Sequence, residues 1–166
     1  MLYQLSNQII RLCLDPKDLN EALERNPYYI KTIDELSSEL HGSKYFTVMD
    51  AKQGYWHVPL DHQSSLMTTF NTPWGKFRFI RLPFGLKISG DVFQERLDAV
   101  LNQVQGVTNI VDDCMVRATT VQEHDVILLT LLHAARLNGI KFNSKKMQFR
   151  QQEVKFYGHA ITPGGM

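Results

Sequence analysis

Two adjacent carboxylates, Asp112 and Asp113, stand between two short runs that read as strands, VTNIV (107–111) and CMVRA (114–118). Strands two residues apart form a hairpin. Hairpin turns favour Asn-Gly or Asp-Gly over Asp-Asp, whose like charges repel. A divalent cation removes that penalty, because hard ions such as Mg²⁺ take carboxylate oxygens and share them with substrate phosphates. A third acid, Asp50, closes the apolar strand YFTVM (45–49). With that strand beside the hairpin, Asp50 and Asp112 would face each other at the sheet edge. Three carboxylates there could hold two ions roughly 3.5–4 Å apart, the pair that clamps both oxygens of an in-line phosphoryl displacement. Each acid alone reads as an ordinary turn or strand-end residue. The ordered combination of strand and Asp50, apolar helix, then strand, Asp112-Asp113 and strand is far more specific.

The elements that must position these acids interleave without a regular strand–helix repeat, so an α+β fold is expected. Asp15-Pro16 reads as an N-cap followed by proline at the first helical position, opening a short helix to about Leu23. Thr32-Ile33-Asp34-Glu35 is a capping box for a helix over 33–41 that stops at Gly42. Tyr55–Leu60, Leu66–Asn71 and Lys76–Leu82 read as three strands, the last two joined by a turn at Thr72-Pro73-Trp74-Gly75. From Ser89 the apolar residues 92, 93, 97, 100, 101 and 104 keep helical spacing as far as Gly106. Thr120-Val121-Gln122-Glu123 is a second capping box, for a helix to about Leu137, and residues 154–161 read as a last strand.

The chain has 166 residues, 43% apolar and 21% charged, with a formal net charge of +1. One globular unit is expected, and disorder and collagen-like structure are excluded. No window approaches ~18 consecutive apolar residues, so no membrane partner is expected. The first residues, MLYQLSNQII, lack the pattern of a signal peptide. Cys13 and Cys114 are the only cysteines, too few for a disulfide framework, and a reducing, cytoplasmic setting is expected. The six histidines show no ligand spacing. Residues 136–166 carry six Lys/Arg against the single acid Glu153, a net +5, which leaves −4 for the remainder. That basic end suits either phosphate contacts or a solvated lysine face.

From Arg11 to Gly165 the sequence resembles the reverse transcriptase domain of gypsy-class (Metaviridae) LTR retrotransposon pol polyproteins. The matching blocks are RLCLDPKDLN (11–20), FTVMDAKQGYWHVPLD (46–61), TTFNTPWGKFRFIRLPFGL (68–86), VFQERLD (92–98), VTNIVDD (107–113), EHD (123–125), GIKFNSKKMQF (139–149) and VKFYGHAITPGG (154–165), in the family's order. The resemblance implies a reverse-transcriptase palm, a ferredoxin-like antiparallel sheet with helices on one face, plus partial fingers and no thumb. Residues 1–166 would form one such domain, with 1–45 and 55–85 mainly fingers and 46–54 and 86–166 mainly palm. It implies RNA-directed DNA polymerase chemistry: a primer 3′-hydroxyl attacks the α-phosphorus of a dNTP with two Mg²⁺ (or Mn²⁺) ions. Asp50, Asp112 and Asp113 would be the catalytic metal ligands. The implied partners are an RNA or DNA template with its primer, a dNTP and the remainder of a pol polyprotein.

The same resemblance assigns further residues. Tyr55 would be the aromatic steric gate under the sugar, where a ring against C2′ leaves no room for a 2′-hydroxyl. Arg11 would meet the triphosphate, as suits a permanently charged fork of donors. Gly85, in the Pro83-Phe84-Gly85 turn, either lets backbone approach the nucleotide or template, or is an ordinary loop glycine. Gln94 would lie near the templating base. Lys145 and Lys146 fall in the loop near the incoming nucleotide, where a lysine can neutralise or protonate pyrophosphate; otherwise they are solvated charges. Tyr157, Gly158 and His159 resemble the primer grip.

Three departures stand out. Ile110 replaces an aromatic, Arg117 puts charge where the partner strand packs, and Ile88-Ser89-Gly90-Asp91 replaces a small-residue opening with proline. Two other readings stay open: a truncated transposon relic with at most weak nucleic-acid binding, and a template-independent nucleotidyl transferase or cyclase on a similar palm.

Overall fold

The computed structural model describes residues 2–4 and 10–165. In chain order the elements are β1 (Leu2–Gln4), β2 (Ile10–Leu12), α1 (Lys17–Ala22), α2 (Ile33–Leu40), β3 (Tyr45–Asp50), α3 (His62–Met67), β4 (Phe70–Thr72), β5 (Gly75–Phe77), α4 (Ser89–Leu101), β6 (Val107–Ile110), β7 (Asp113–Ala118), α5 (Val121–Leu137), β8 (Gln148–Gln151), β9 (Val154–Phe156) and β10 (His159–Ile161). Among the described residues no helix is long and apolar enough to cross a membrane. The chain divides into two compact units, residues 1–28 with 55–93, and residues 29–54 with 94–166.

The first unit is built from short pieces. β1 pairs with β2, and β4 with β5 across the predicted turn at Thr72–Gly75. All three of its predicted strands are corrected, Lys76–Leu82 being a strand only as far as Phe77. Gly54–His57 is a 3₁₀ turn, because the Tyr55 ring turns in against Phe84 at 4.7 Å and edge-on to Phe93 at 5.5 Å. Of residues 55–60, only the end pairs with the chain around Arg81, through Leu60 N–H to Ile80 O and Leu82 N–H to Val58 O. His62–Met67 is the helix α3, started by Asp61, whose carboxylate accepts the Ser64 N–H at 2.9 Å. α1 opens one residue later than expected: Pro16 is its N-cap and no side chain caps it.

The second unit is an antiparallel four-stranded sheet in the order β6-β7-β3-β8. Its centre is β3, whose four middle residues are all buried, so both faces must be covered. Phe46, Val48 and Met115 point to one face, packing with Leu36 and Leu40 of α2 and with Val154, Phe156 and Ile161 of β9 and β10. Thr47 points to the other face and meets His124 of α5 at 2.8 Å. Asn109, paired with Cys114 on that same face, bonds Asp98 of α4 at 2.7 Å. The two long helices therefore share one side of the sheet.

Both predicted caps hold. Thr32 and Glu35 form the full box. Thr120 accepts the Glu123 N–H, while Glu123 reaches back to Thr119 rather than to Thr120. Arg117 is not stranded in the packing: its guanidinium bonds Glu39 and Thr108. Residues 154–161 form a hairpin instead of one strand. Its turn is Tyr157-Gly158, with φ of 47° and 81°. The strand β8, hidden in a polar stretch, completes the sheet.

Candidate active site

Sheet register sets the site. β3 runs antiparallel to β7 so that Asp50 is directly opposite Asp113. This corrects the expected facing pair of Asp50 and Asp112. The β6–β7 turn is Val111-Asp112, since Ile110 pairs with Asp113, so Asp113 is already in the strand. Asp112 sits exposed at the turn, and its carbonyl accepts the Ala51 N–H at 2.7 Å. Val111 holds φ at 53°, a left-handed value that costs a β-branched residue about 1–3 kcal/mol. Its side chain packs on the core cluster, and its N–H bonds Gln94 Oε1 at 2.6 Å, which together offset that strain.

The loop after α5 closes the site from the other side. Asn143 N–H donates to the Asp50 carbonyl at 2.9 Å, and Lys52 N–H to the Lys141 carbonyl at 2.8 Å. Asn143 Oδ1 accepts the Lys145 N–H, folding the loop back on itself. Lys146 Nζ then reaches Asp50 Oδ2 at 2.9 Å. Lys145 points to solvent. The Tyr157 N–H lies close enough to the Asp113 carboxylate to favour its ionised form, which brings the β9–β10 turn to the same place.

The electrostatics are those of a crowded acid site. Burial, and then the Asp50 charge, push the Asp113 carboxyl above its ordinary range, against the opposing pull of Lys146 and the Tyr157 N–H. The hydrogen bond to Asp50 raises Lys146, with Asp113 and Asp112 adding to it, so its ammonium persists through neutral pH. A cation thus already sits among three carboxylates. Among the described residues, no three Asp, Glu, His or Cys side chains are arranged around one ion position. The donor chemistry nevertheless fits a hard divalent ion: the ligands are oxygens, the acids repel, and an ammonium now supplies the compensating charge.

The other predicted residues fall in several places. Tyr157, Gly158 and His159 form the β9–β10 turn and the start of β10. Gln94 is 1% exposed and its amide is bonded inside the second unit. In the first unit, Tyr55 is half-buried between Phe84 and Phe93. Gly85 has φ of 107°, and a Cβ there would lie 1.8 Å from the Leu14 carbonyl oxygen, so the backbone it approaches is its own chain's. The Arg11 backbone lies in β2, and its side chain lies outside the described residues. Asn143 was missed by sequence reasoning, although Asn143-Ser144 is a turn signal.

Residues 1–161 match the family described as reverse transcriptase (RNA-dependent DNA polymerase). The chain belongs to the reverse transcriptase family. It is 32% identical over 157 residues to the uncharacterized protein K02A2.6 of Caenorhabditis elegans, covering 93% of this chain and 12% of that protein. It is 31% identical to the retrovirus-related Pol polyprotein from transposon 297 of Drosophila melanogaster, covering 94% and 15%. It is 30% identical to the enzymatic polyprotein of Cauliflower mosaic virus (strain Strasbourg), covering 93% and 23%. The chain thus spans less than a quarter of these relatives. The foamy viral protease-reverse transcriptase solved with double-stranded DNA superposes with a TM-score of 0.88 at 24% identity, over 98% of this chain and 29% of that one. The same enzyme solved with an RNA/DNA hybrid gives 0.83 at 25% identity, over 98% and 22%. The α+β reverse-transcriptase fold is therefore the fold of this chain.

Proposed function

We propose that the chain is the palm and partial fingers of a gypsy-class retrotransposon polymerase, carrying RNA-directed DNA synthesis on the second unit. The observation that carries this reading is the register pairing of Asp50 with Asp113, with Lys146 bound between sheet and loop. The proposed substrates are a dNTP and a primer on an RNA or DNA template, by likeness to relatives solved with such duplexes.

Asp50, Asp113 and the exposed Asp112 would hold two Mg²⁺ or Mn²⁺ ions. Bound divalent ions supply Lewis-acid stabilisation of charge on the transferring phosphoryl group. The chain's own residues do the rest. Asp113 is placed by its strand register opposite Asp50, and Asp50 is held by the Asn143 and Lys146 contacts. Lys146 keeps a positive charge beside the site, suited to neutralising the departing pyrophosphate, with Lys145 next to it in solvent. The Tyr157-Gly158-His159 turn, whose backbone N–H lies near Asp113, is the segment suited to holding the primer end. On the first unit, Tyr55 braced by two phenylalanine rings makes a stiff wall of the kind that rejects a 2′-hydroxyl. Arg11 is assigned to the triphosphate. Residues 1–45 and 55–85 are read as mainly fingers, and 46–54 and 86–166 as mainly palm.

The test is Mg²⁺- or Mn²⁺-dependent extension of a primer by at least one nucleotide. Extension should require the template and disappear in Asp112→Asn. Salt-sensitive duplex binding without synthesis would select the relic instead, and nucleotide consumption without template the cyclase-like reading.

A further inference from the structure

Gln94 lies on α4 at 1% exposure, where a long polar side chain needs full hydrogen bonding. Its amide has partners on every side. Nε2 donates to Asp98 Oδ1 at 3.0 Å and to the Asn109 carbonyl at 3.3 Å. Oε1 accepts the Val111 N–H at 2.6 Å. The amide orientation is forced, because a carboxylate only accepts and so Nε2 must face Asp98. Asp98 is itself held by Asn109 Nδ2 at 2.7 Å. One side chain therefore grips the entry to the β6–β7 turn, at Asn109 before it and at Val111, its first residue.

The grip falls where the turn is least willing. Positive φ belongs to the first turn residue alone, a place that hairpins usually give to glycine, and here it is valine. The next residue is Asp112. We propose that Gln94 is a positioning residue that sets the direction of Asp112 and Asp113 by holding the strained Val111 peptide, rather than a reader of the template. This rests on the polymerase reading, and it assigns Gln94 to the acidic site instead of the nucleic acid.

Two variants test it on the whole chain. Gln94→Met keeps the volume and removes the grip. Gln94→Glu combined with Asp98→Asn swaps donor and acceptor: the new carboxylate accepts from Val111 and from the new amide nitrogen. That nitrogen stands where Asp98 Oδ1 took both bonds and so donates also to Asn109 Oδ1 once that amide turns over, at the loss of the 3.3 Å bond to the Asn109 carbonyl. Amide exchange at Val111, read by NMR without metal or substrate, should speed up at least about tenfold in Gln94→Met and recover in the double variant. In primer extension, Gln94→Met should lower kcat roughly tenfold to a hundredfold with little change in KM for primer–template, and the double variant should restore kcat. Unchanged Val111 exchange in Gln94→Met overturns the grip. A loss that falls on KM overturns positioning in favour of template contact, and a double variant no better than Gln94→Met reduces Gln94 to a space-filler. If the unaltered chain does not extend primers, the polymerase reading fails, while the exchange measurement still judges the grip.

Discussion

Asp91 and Asp113 are both carboxylates drawn out of solvent, one in each compact unit, and their surroundings push them in opposite directions. Asp91, 7% exposed, accepts from Arg25 Nε at 2.8 Å and from the Tyr28 N–H at 3.2 Å. Its carboxyl falls below the usual range, first through the Arg25 hydrogen bond. Asp113 faces another acid, and its carboxyl rises. A carboxylate that ties a loop to a helix is satisfied by its own chain. One left in surplus beside another acid, with a lysine only partly offsetting it, is the carboxylate of the two that an outside cation would stabilise.

That contrast is sharpest under Asn substitution. Asp50→Asn should cut metal-dependent extension by at least about a thousandfold, since a bound ion contributes several kcal/mol to the transition state. Folding stability should change by less than about 1 kcal/mol, because the lost pair to the largely exposed Lys146 is offset by relief of the repulsion with Asp113. Equal losses of activity and stability, measured by primer extension and urea unfolding, would erase the distinction.

Gly85 tests whether the first unit is scaffold in the same sense as Asp91. Adding a methyl at φ 107° against the Leu14 carbonyl must shift backbone, which Asn20 also ties down through the Gly85 carbonyl at 2.8 Å. Gly85→Ala should cost more than about 2 kcal/mol. A variant of undiminished stability but poor dNTP affinity would move Gly85 from scaffold to substrate site. Asp91→Asn comes next, at about 1–2 kcal/mol, discounted because Arg25 is largely exposed. Extension per folded molecule should be unchanged.

The sequence disclosed the second unit better than the first, for physical reasons visible in particular residues. YFTVM is apolar on both faces and β-branched, which leaves little alternative to a central strand. Thr32 and Thr120 each announce a helix with glutamate three residues on. The three carboxylates could be named because catalytic acids are written as residue types. Their facing could not: whether Asp112 or Asp113 meets Asp50 depends on a one-residue register that the Val111 backbone decides. In the first unit, Tyr55-Trp56-His57 has strand-like composition, but the Phe84 and Phe93 rings that coil it are distant in sequence. α3 was hidden because a six-residue helix shows too little periodicity, although Asp61 was a readable cap. Tyr157-Gly158 was a turn signal lost inside an apolar run.

The smallest effect is a pH slope, and its sign separates the two acids. Asp113 binds its proton more tightly folded than unfolded, so between its ordinary 3.8 and its raised folded value the native state carries more protons. Stability from this group is complete below 3.8 and declines as pH climbs through that window. Asp91 works the other way: its contribution is complete above the ordinary carboxylate range and is lost as pH falls through its lowered folded value. Unfolding free energies of the unaltered chain and Asp113→Asn, measured in metal-free buffer, should therefore diverge in favour of Asp113→Asn as pH rises from about 4. Lys146→Gln removes the charge that opposes the shift, and so should carry the divergence to higher pH. Mg²⁺ should shrink it, because an ion that binds the native carboxylates favours their ionised form. A divergence of opposite sign would mean that Asp113 is satisfied by its own chain after all, like Asp91, and that no cation is called for between it and Asp50.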